Sequence, residues 1–318
     1  MSVPPLVARD ATVSVIVCSY DPSRWGTLQR ALDSLVAQTR KPDEIIVVVD
    51  GSARLARMLR ESGRALRVIE LGDRSGLSAA RNAGLNAATG VLIAFLDDDA
   101  TAEPMWLHHL AMATCEGSVL GAGGHSEPVW LSPRPAWFSD ELLWAVGCSY
   151  RGLPTTRQIV RNVFGGCACF RRNVLTELGG FRCDLGRRGE NGSGGEEVEV
   201  CIRAKGAHQG SGFLFVPDAR IHHEVSRTRA QHRYLLRRSF AEGRAKATVA
   251  TTPSVDDVLD TERAYLFAVL LPSTFRDLYR ALSNRDTDAL ARATAQTCAL
   301  SAAGVGYVIQ RVIPRWRS

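Results

Sequence analysis

The sequence contains neither a Gly-x-x-x-x-Gly-Lys loop nor a Gly-x-Gly-x-x-Gly turn, which removes the simplest NTPase and dehydrogenase readings. Residues 1–10 lack the basic start, apolar run and small-residue cleavage site of a secretory signal, and 1–11 read as a disordered lead-in. The eight cysteines have neither the spacing nor the short chain of a secreted disulfide scaffold, so a reducing compartment is expected. Cys167 and Cys169 have no second pair at zinc-ligand spacing and are expected to be packed core. Internal repeats and low-complexity tracts are absent too. No stretch has the length and apolarity of a confident transmembrane helix. The uncharged run 293–310 is rich in Ala, Ser, Thr and Gly; a buried helical hairpin is expected there, with membrane-surface contact as the competing reading.

What is present points to one large core, or one core and a smaller appendage: 318 residues, 45% hydrophobic and 23% charged. The net charge of +6, largely arginine, suits phosphate-bearing ligands or an anionic membrane surface as readily as nucleic acid. Residues 13–18 form a β-branched run that opens into Ser19, Tyr20, Asp21 and Pro22. Leu28, Ala31, Leu32, Leu35 and Val36 then recur at helical spacing, and 45–49 is a second apolar run. A helix over 53–62, a strand over 66–71, a helix over 78–88 and a strand over 91–96 continue the alternation. The fold class predicted is α/β, with a mostly parallel sheet covered by helices on both faces. Ligands in such sheets sit beyond the carboxyl ends of the strands. After 117 the pattern weakens through a stretch holding Trp130, Trp137 and Trp144. Helices return at 173–178 and 196–204, residues 213–217 and 219–221 read as an edge strand and turn, and beyond Arg227 the chain is basic and then helical.

Two predicted strand ends carry acids. Asp97, Asp98 and Asp99 leave a buried strand together, a costly set of like charges unless a cation or solvent offsets them. Hard oxygen ligands suit Mg²⁺ or Mn²⁺, and a solvated acidic turn is the competing reading. Asp50, before Gly51, fits a contact to a base or ribose, or a plain turn former. Arg81 stands one turn into a helix that opens with small residues, where an arginine can meet a diphosphate or lie on a solvated face. Glu196 and Glu197 begin a helix after a Gly-rich stretch, which suits a general base or ordinary dipole capping. His222 and His223 offer imidazole nitrogen for a metal, a weak signal without a known partner. Arg227, Arg229, Arg233, Arg237 and Arg238 could clamp phosphates or meet anionic lipid.

Taken in order, these pieces resemble the inverting, nucleotide-sugar-dependent glycosyltransferases of family 2 with the GT-A fold, over about residues 13–230. The resemblance implies that Asp50 reads the nucleobase and that Arg81, Asp97, Asp98 and Tyr20 belong to the nucleotide-binding set. It implies Asp99, Asp97 and His223 as holders of a Mn or Mg divalent cation, and Glu197, with Glu196 as substitute, as catalytic base. Two departures stand out: the base is Glu where the family mostly has Asp, and only one Asp precedes Gly51 where many members have two. The Gln-x-x-Arg-Trp element of processive synthases is missing, which favours transfer of a single sugar.

The expected organisation is a catalytic domain over 12–230, with a nucleotide-sugar half at 12–116 and an acceptor half at 117–230, then a helical C-terminal extension over 231–318. The expected partners are a nucleotide-sugar donor, UDP for preference, and a glycan, lipid-linked or small-molecule acceptor, with no nucleic acid. Peripheral membrane contact through the C-terminal region would place the enzyme in the cytoplasm at the inner face of the plasma membrane. A nucleotidyltransferase and a non-catalytic sugar or lipid binder are the alternatives.

Overall fold

The computed structural model describes residues 7, 10–187, 194–253 and 258–312. Most of the lead-in, residues 1–6 and 8–9, and most of the Gly-rich stretch before Glu196 lie outside the described residues. The chain divides into two compact units: 1–126, 154–192 and 196–222 form the first, and 127–153, 193–195 and 223–318 the second.

In the first unit the expected alternation is realised as β1 (Val13–Ser19), α1 (Trp25–Val36), β2 (Glu44–Asp50), α2 (Ala53–Glu61), β3 (Arg67–Leu71), α3 (Leu77–Ala87) and β4 (Leu92–Asp97). β5 (Ala100–Ala102), α4 (Trp106–Thr114), β6 (Val119–Trp130), β7 (Gln158–Val160), β8 (Cys167–Arg171), α5 (Arg172–Glu177), α6 (Glu196–Ala207) and β9 (Gly212–Val225) follow. Among the described residues the strands form one sheet in the order β3-β2-β1-β4-β8-β6-β9-β5, with β7 paired to β9. β1, β2, β3 and β4 are parallel, and β8 runs antiparallel to both β4 and β6. The stretch 213–221, expected to be an edge strand and turn, is therefore part of a longer strand inside the sheet.

Successive residues of the parallel strands alternate between two apolar cores. Val13, Val15, Val17, Val47 and Val49 face one, with Leu28, Ala31, Leu32 and Leu35 of α1. Ile16, Ile46, Val48, Ile93 and Phe95 face the other, with Ala80 and Leu85 of α3. Both faces are thus covered, which is why these strands read as unbroken β-branched runs. α3 lies close on β1: a Cβ at Gly84 would stand 2.6 Å from Ile16 Cγ2.

The second unit is helical: α7 (His232–Val249), α8 (Asp260–Tyr265), one π-turn, α9 (Leu271–Asn284) and α10 (Thr287–Val312). α7 and α10 touch backbone to backbone, since a Cβ at Gly243 would stand 1.9 Å from the Ala303 carbonyl oxygen and one at Gly306 2.1 Å from that of Phe240. Trp130, Trp137 and Trp144 pack around Phe138, Leu142, Leu143 and Val146 in this unit's own core. The run 293–310, expected to be a buried helical hairpin, lies instead within the single helix α10, with Ala293, Ala295, Gln296, Ala299 and Gly306 buried and Leu300, Val305, Val308 and Ile309 exposed. No described helix is long and apolar enough to cross a membrane.

Candidate active site

β1, β2 and β4 are parallel and end at one edge of the sheet, with Cys18 in register with Asp97. The three acids after Leu96 divide their tasks there. Asp98 is buried and braced from both sides, accepting from the Ser19 hydroxyl at 2.5 Å and meeting Arg24 Nη1 at 2.9 Å. Burial pushes its carboxyl up to about 7, with Asp99 adding to the effect while Arg24 and the Ser19 hydrogen bond oppose it. Arg24 also pairs with Asp99, and so acts as an internal counter-ion to the cluster.

β9 carries His222 and His223 in the same sheet. His222 Nε2 stands 3.2 Å from Glu103, both side chains well exposed. His223 is buried, and one ligand atom each of Asp97, Asp99 and His223 lies within 4.8 Å of the others. Two carboxylates and an imidazole make a donor set suited to a divalent cation.

Arg81, which the sequence left between a solvated face and a ligand contact, is buried. Its Nη1 donates to Glu196 Oε1 at 2.8 Å, and its Nη2 lies 4.0 Å from Asp97 Oδ1. Its guanidinium also sits 5.5 Å from the ring centres of Phe95 and of Phe181. Burial works against the charge, but Glu196, Glu197 and Asp97 outweigh it and hold the group protonated. Arg81 thus links the start of α6 to the end of β4. Glu196 is itself buried, and burial, with Glu197 adding, raises its carboxyl against the pull of Arg81. Glu196 Oε2 and Glu197 Oε2 are buried without a hydrogen-bond partner. Orphaned carboxylate oxygens are rare in folded proteins and call for an explanation, among them a bound water, an ion or a catalytic role.

The Asp50 carboxylate closes the loop ahead of α3, accepting from the backbone N–H of Ser75 at 2.7 Å and of Gly76 at 2.9 Å. Tyr20 lies beneath two guanidinium groups, with Arg74 at 4.4 Å and Arg24 at 5.7 Å from its ring centre. Sequence reasoning passed over Arg24, Arg74 and the pair Gly165 and Gly166. A Cβ at Gly165 would stand 2.6 Å from Arg81 Nη2, and one at Gly166 2.2 Å from Asp97 Oδ2. Two adjacent glycines directly before a strand were the available signal. Cys167 and Cys169 behind them are core, each thiol pushed up to about 12 by burial.

A mostly parallel sheet covered on both faces, with an acidic edge and a buried arginine one turn into the helix beside it, is the architecture of the GT-A glycosyltransferases. The chain belongs to glycosyl transferase family 2, whose sequence profile matches residues 14–179, and it is a glycosyltransferase. It is similar to the glucosyl-dolichyl phosphate glucuronosyltransferase of Haloferax volcanii, with 30% identity over 307 residues, 95% of this chain and 97% of that one. It is also similar to the succinoglycan biosynthesis protein ExoM of Rhizobium meliloti, with 28% identity over 250 residues, 73% of this chain and 72% of that one. In fold it matches the mannosyltransferase PcManGT from Pyrobaculum calidifontis, solved in complex with GDP-Man and Mn²⁺. That match has a TM-score of 0.61 at 20% identity and covers 94% of this chain and 87% of that one.

Proposed function

We propose that the protein transfers a single sugar, with inversion, from a nucleotide diphosphate sugar, UDP being the expected nucleotide, to a hydroxyl of a lipid-linked or cell-envelope glycan precursor. The observation that carries this reading is the convergence of Asp97, Asp99 and His223 at the sheet edge where Arg81 ties β4 to the acidic start of α6.

Asp97, Asp99 and His223 would hold Mn²⁺ or Mg²⁺, and the space kept clear by Gly166 leaves the Asp97 carboxylate in place to do so. Such a cation, when bound, neutralises charge on the leaving diphosphate. The chain's own residues supply the rest. Asp50 and Tyr20, with Asp98, shape the nucleotide end, Asp50 through the loop it closes. Glu197 takes the proton from the acceptor hydroxyl as that oxygen attacks the anomeric carbon. Glu197 is preferred to Glu196 because Arg81 already engages Glu196 Oε1, which makes Glu196 a positioning residue. The contact is buried, and removing either partner would leave the other's polar group unpaired, so the start of α6 is firmly held.

The likeness to a relative that by its name acts on glucosyl-dolichyl phosphate supports this choice of acceptor; we take the acceptor here to be a sugar carried on a lipid phosphate and met at the inner face of the plasma membrane. Its nucleophile is a hydroxyl, which needs a base, whereas a bare phosphate acceptor is already ionised. Incubation with a panel of nucleotide sugars and Mn²⁺ tests the reading. Release of free nucleoside diphosphate supports it, pyrophosphate indicates a nucleotidyltransferase, and no turnover with any donor leaves a sugar or lipid binder.

A further inference from the structure

The helix α9 is built inside out. Phe275, Leu278, Tyr279 and Leu282 recur at the spacing of a single helical stripe, and all four are exposed, Leu282 at 84% and Tyr279 at 71%. Phe267, in the π-turn just before, is 67% exposed. The buried positions of the same helix are Ser273 and Asp277.

These polar groups are satisfied by neighbours in the same unit. Ser273 Oγ donates to Glu141 Oε1 at 2.7 Å, and Thr274 Oγ1 donates to Gln296 Oε1 at 2.7 Å. Gln296 Nε2 reaches Ser139 Oγ at 3.1 Å, and Arg292 Nε reaches Asp277 Oδ1 at 3.3 Å. A surface helix in water ordinarily turns its apolar stripe to the core and its polar face out. Here hydrogen bonds fix the polar face inward, and the helix cannot roll to hide its apolar stripe without breaking them.

From this arrangement we infer that the stripe from Phe267 to Leu282 is a bilayer-docking surface on which α9 lies flat at an anionic lipid interface. The charges say what covers it. The exposed side chains of α9 include Arg280 and Arg276, the latter bonded through Nη2 to Ser273 at 2.8 Å, and no carboxylate, because Asp277, the helix's one acid, is buried against Arg292. Arg285 stands just beyond the helix end, also exposed. Cations beside an apolar stripe that bears two Phe and a Tyr match the headgroup and upper acyl region of an anionic leaflet. A second copy of the chain fits less well, since pairing α9 with itself would set Arg276 and Arg280 against their own kind with no exposed acid on the helix to meet them.

The inference deepens the reading above, on whose membrane-face location it rests, by naming the surface that would meet the lipid. Its test is co-sedimentation of the full chain with vesicles of phosphatidylcholine alone and with vesicles containing phosphatidylglycerol. The wild type should pellet with the anionic vesicles. The double variant Phe275→Gln, Leu282→Gln keeps helix-forming side chains and should partition at least about tenfold more weakly, because two large apolar contacts with the acyl region are lost. Arg280→Glu should weaken binding to the anionic vesicles but not to the neutral ones. Equal partitioning of wild type and double variant overturns the proposal. So does a wild-type dimer that the double variant turns into a monomer, which would make the stripe a self-interface. Donor turnover in the absence of lipid, measured on the same samples, separates this idea from the transfer reading: it should be unchanged in the double variant, and its absence from the wild type would count against the transfer reading alone.

Discussion

Replacing Gly166 by alanine separates catalysis from stability. The added Cβ would stand 2.2 Å from Asp97 Oδ2 and 2.4 Å from Asp97 Cγ. Ordinary carbon contacts are about 3.5–4.0 Å, so one partner must move by roughly 1 Å. The Asp97 side chain is 37% exposed and ends in a short carboxylate that can swing toward solvent. The fold should therefore lose only about 1 kcal/mol, the low end for an added methyl in a packed site. The carboxylate, however, leaves Asp99 and His223, and a misplacement of about 1 Å at a reacting centre costs on the order of 10² in rate. Gly165→Ala provides the contrast. Its Cβ would meet the Arg81 guanidinium, which is buried and anchored on Glu196, so it cannot step aside and the cost should fall on stability, at about 2–3 kcal/mol. The assay is nucleoside diphosphate release as a function of Mn²⁺, with thermal melting in parallel. A Gly166→Ala enzyme with wild-type turnover and Mn²⁺ dependence would refute the placement of Asp97 in the cation site.

Three further outcomes are expected. Glu197→Gln should lower turnover by about 10²–10⁴ while nucleotide binding is kept; near-normal turnover would remove Glu197 as base or make the acceptor a phosphate. Glu196 has a folded-state carboxyl raised from 4.5 to about 8, so the stability tied to its protonated form is complete below 4.5 and is lost as pH rises through 8. The melting temperature of the wild type should fall relative to Glu196→Gln between about pH 5 and about pH 9, and parallel curves would show that Glu196 ionises like an exposed acid. Arg24→Ala should melt lower than wild type without metal, because Asp98 and Asp99 lose their counter-ion. Mn²⁺ should then raise its melting temperature more than that of the wild type, since the cation no longer competes with a guanidinium; a smaller rise would disprove that competition.

The first half of the sheet was legible because its strands are buried on both faces and spelled almost entirely in Val, Ile and Leu, as in 13–18, 45–49 and 91–96. β6 was not. Its inner positions include Gly121, Gly123 and Gly124, where neighbouring atoms come so close that a Cβ at Gly124 would lie 1.9 Å from the Ala219 carbonyl oxygen. Glycine there reflects lack of room, yet in a sequence it reads as weak strand propensity. β9 was split by Pro217 into a short strand and a turn, although the strand runs through it from Gly212 to Val225.

In the site, the acids could be seen because three carboxylates on one strand exit are chemically conspicuous. Their counter-ions could not. Arg24 meets Asp99 across 75 positions and Arg81 meets Glu196 across 115, separations at which no local pattern connects the partners. The choice between His222 and His223 likewise depends on which face of β9 each occupies, which the double histidine does not state.

Where α7 crosses α10, main chain rests on main chain at Gly243 and Gly306. A contact of that kind is indifferent to rotamers: it excludes any methyl at the crossing but places no demand on the residues around it. The outward surfaces of these helices can then change without disturbing the frame that carries them.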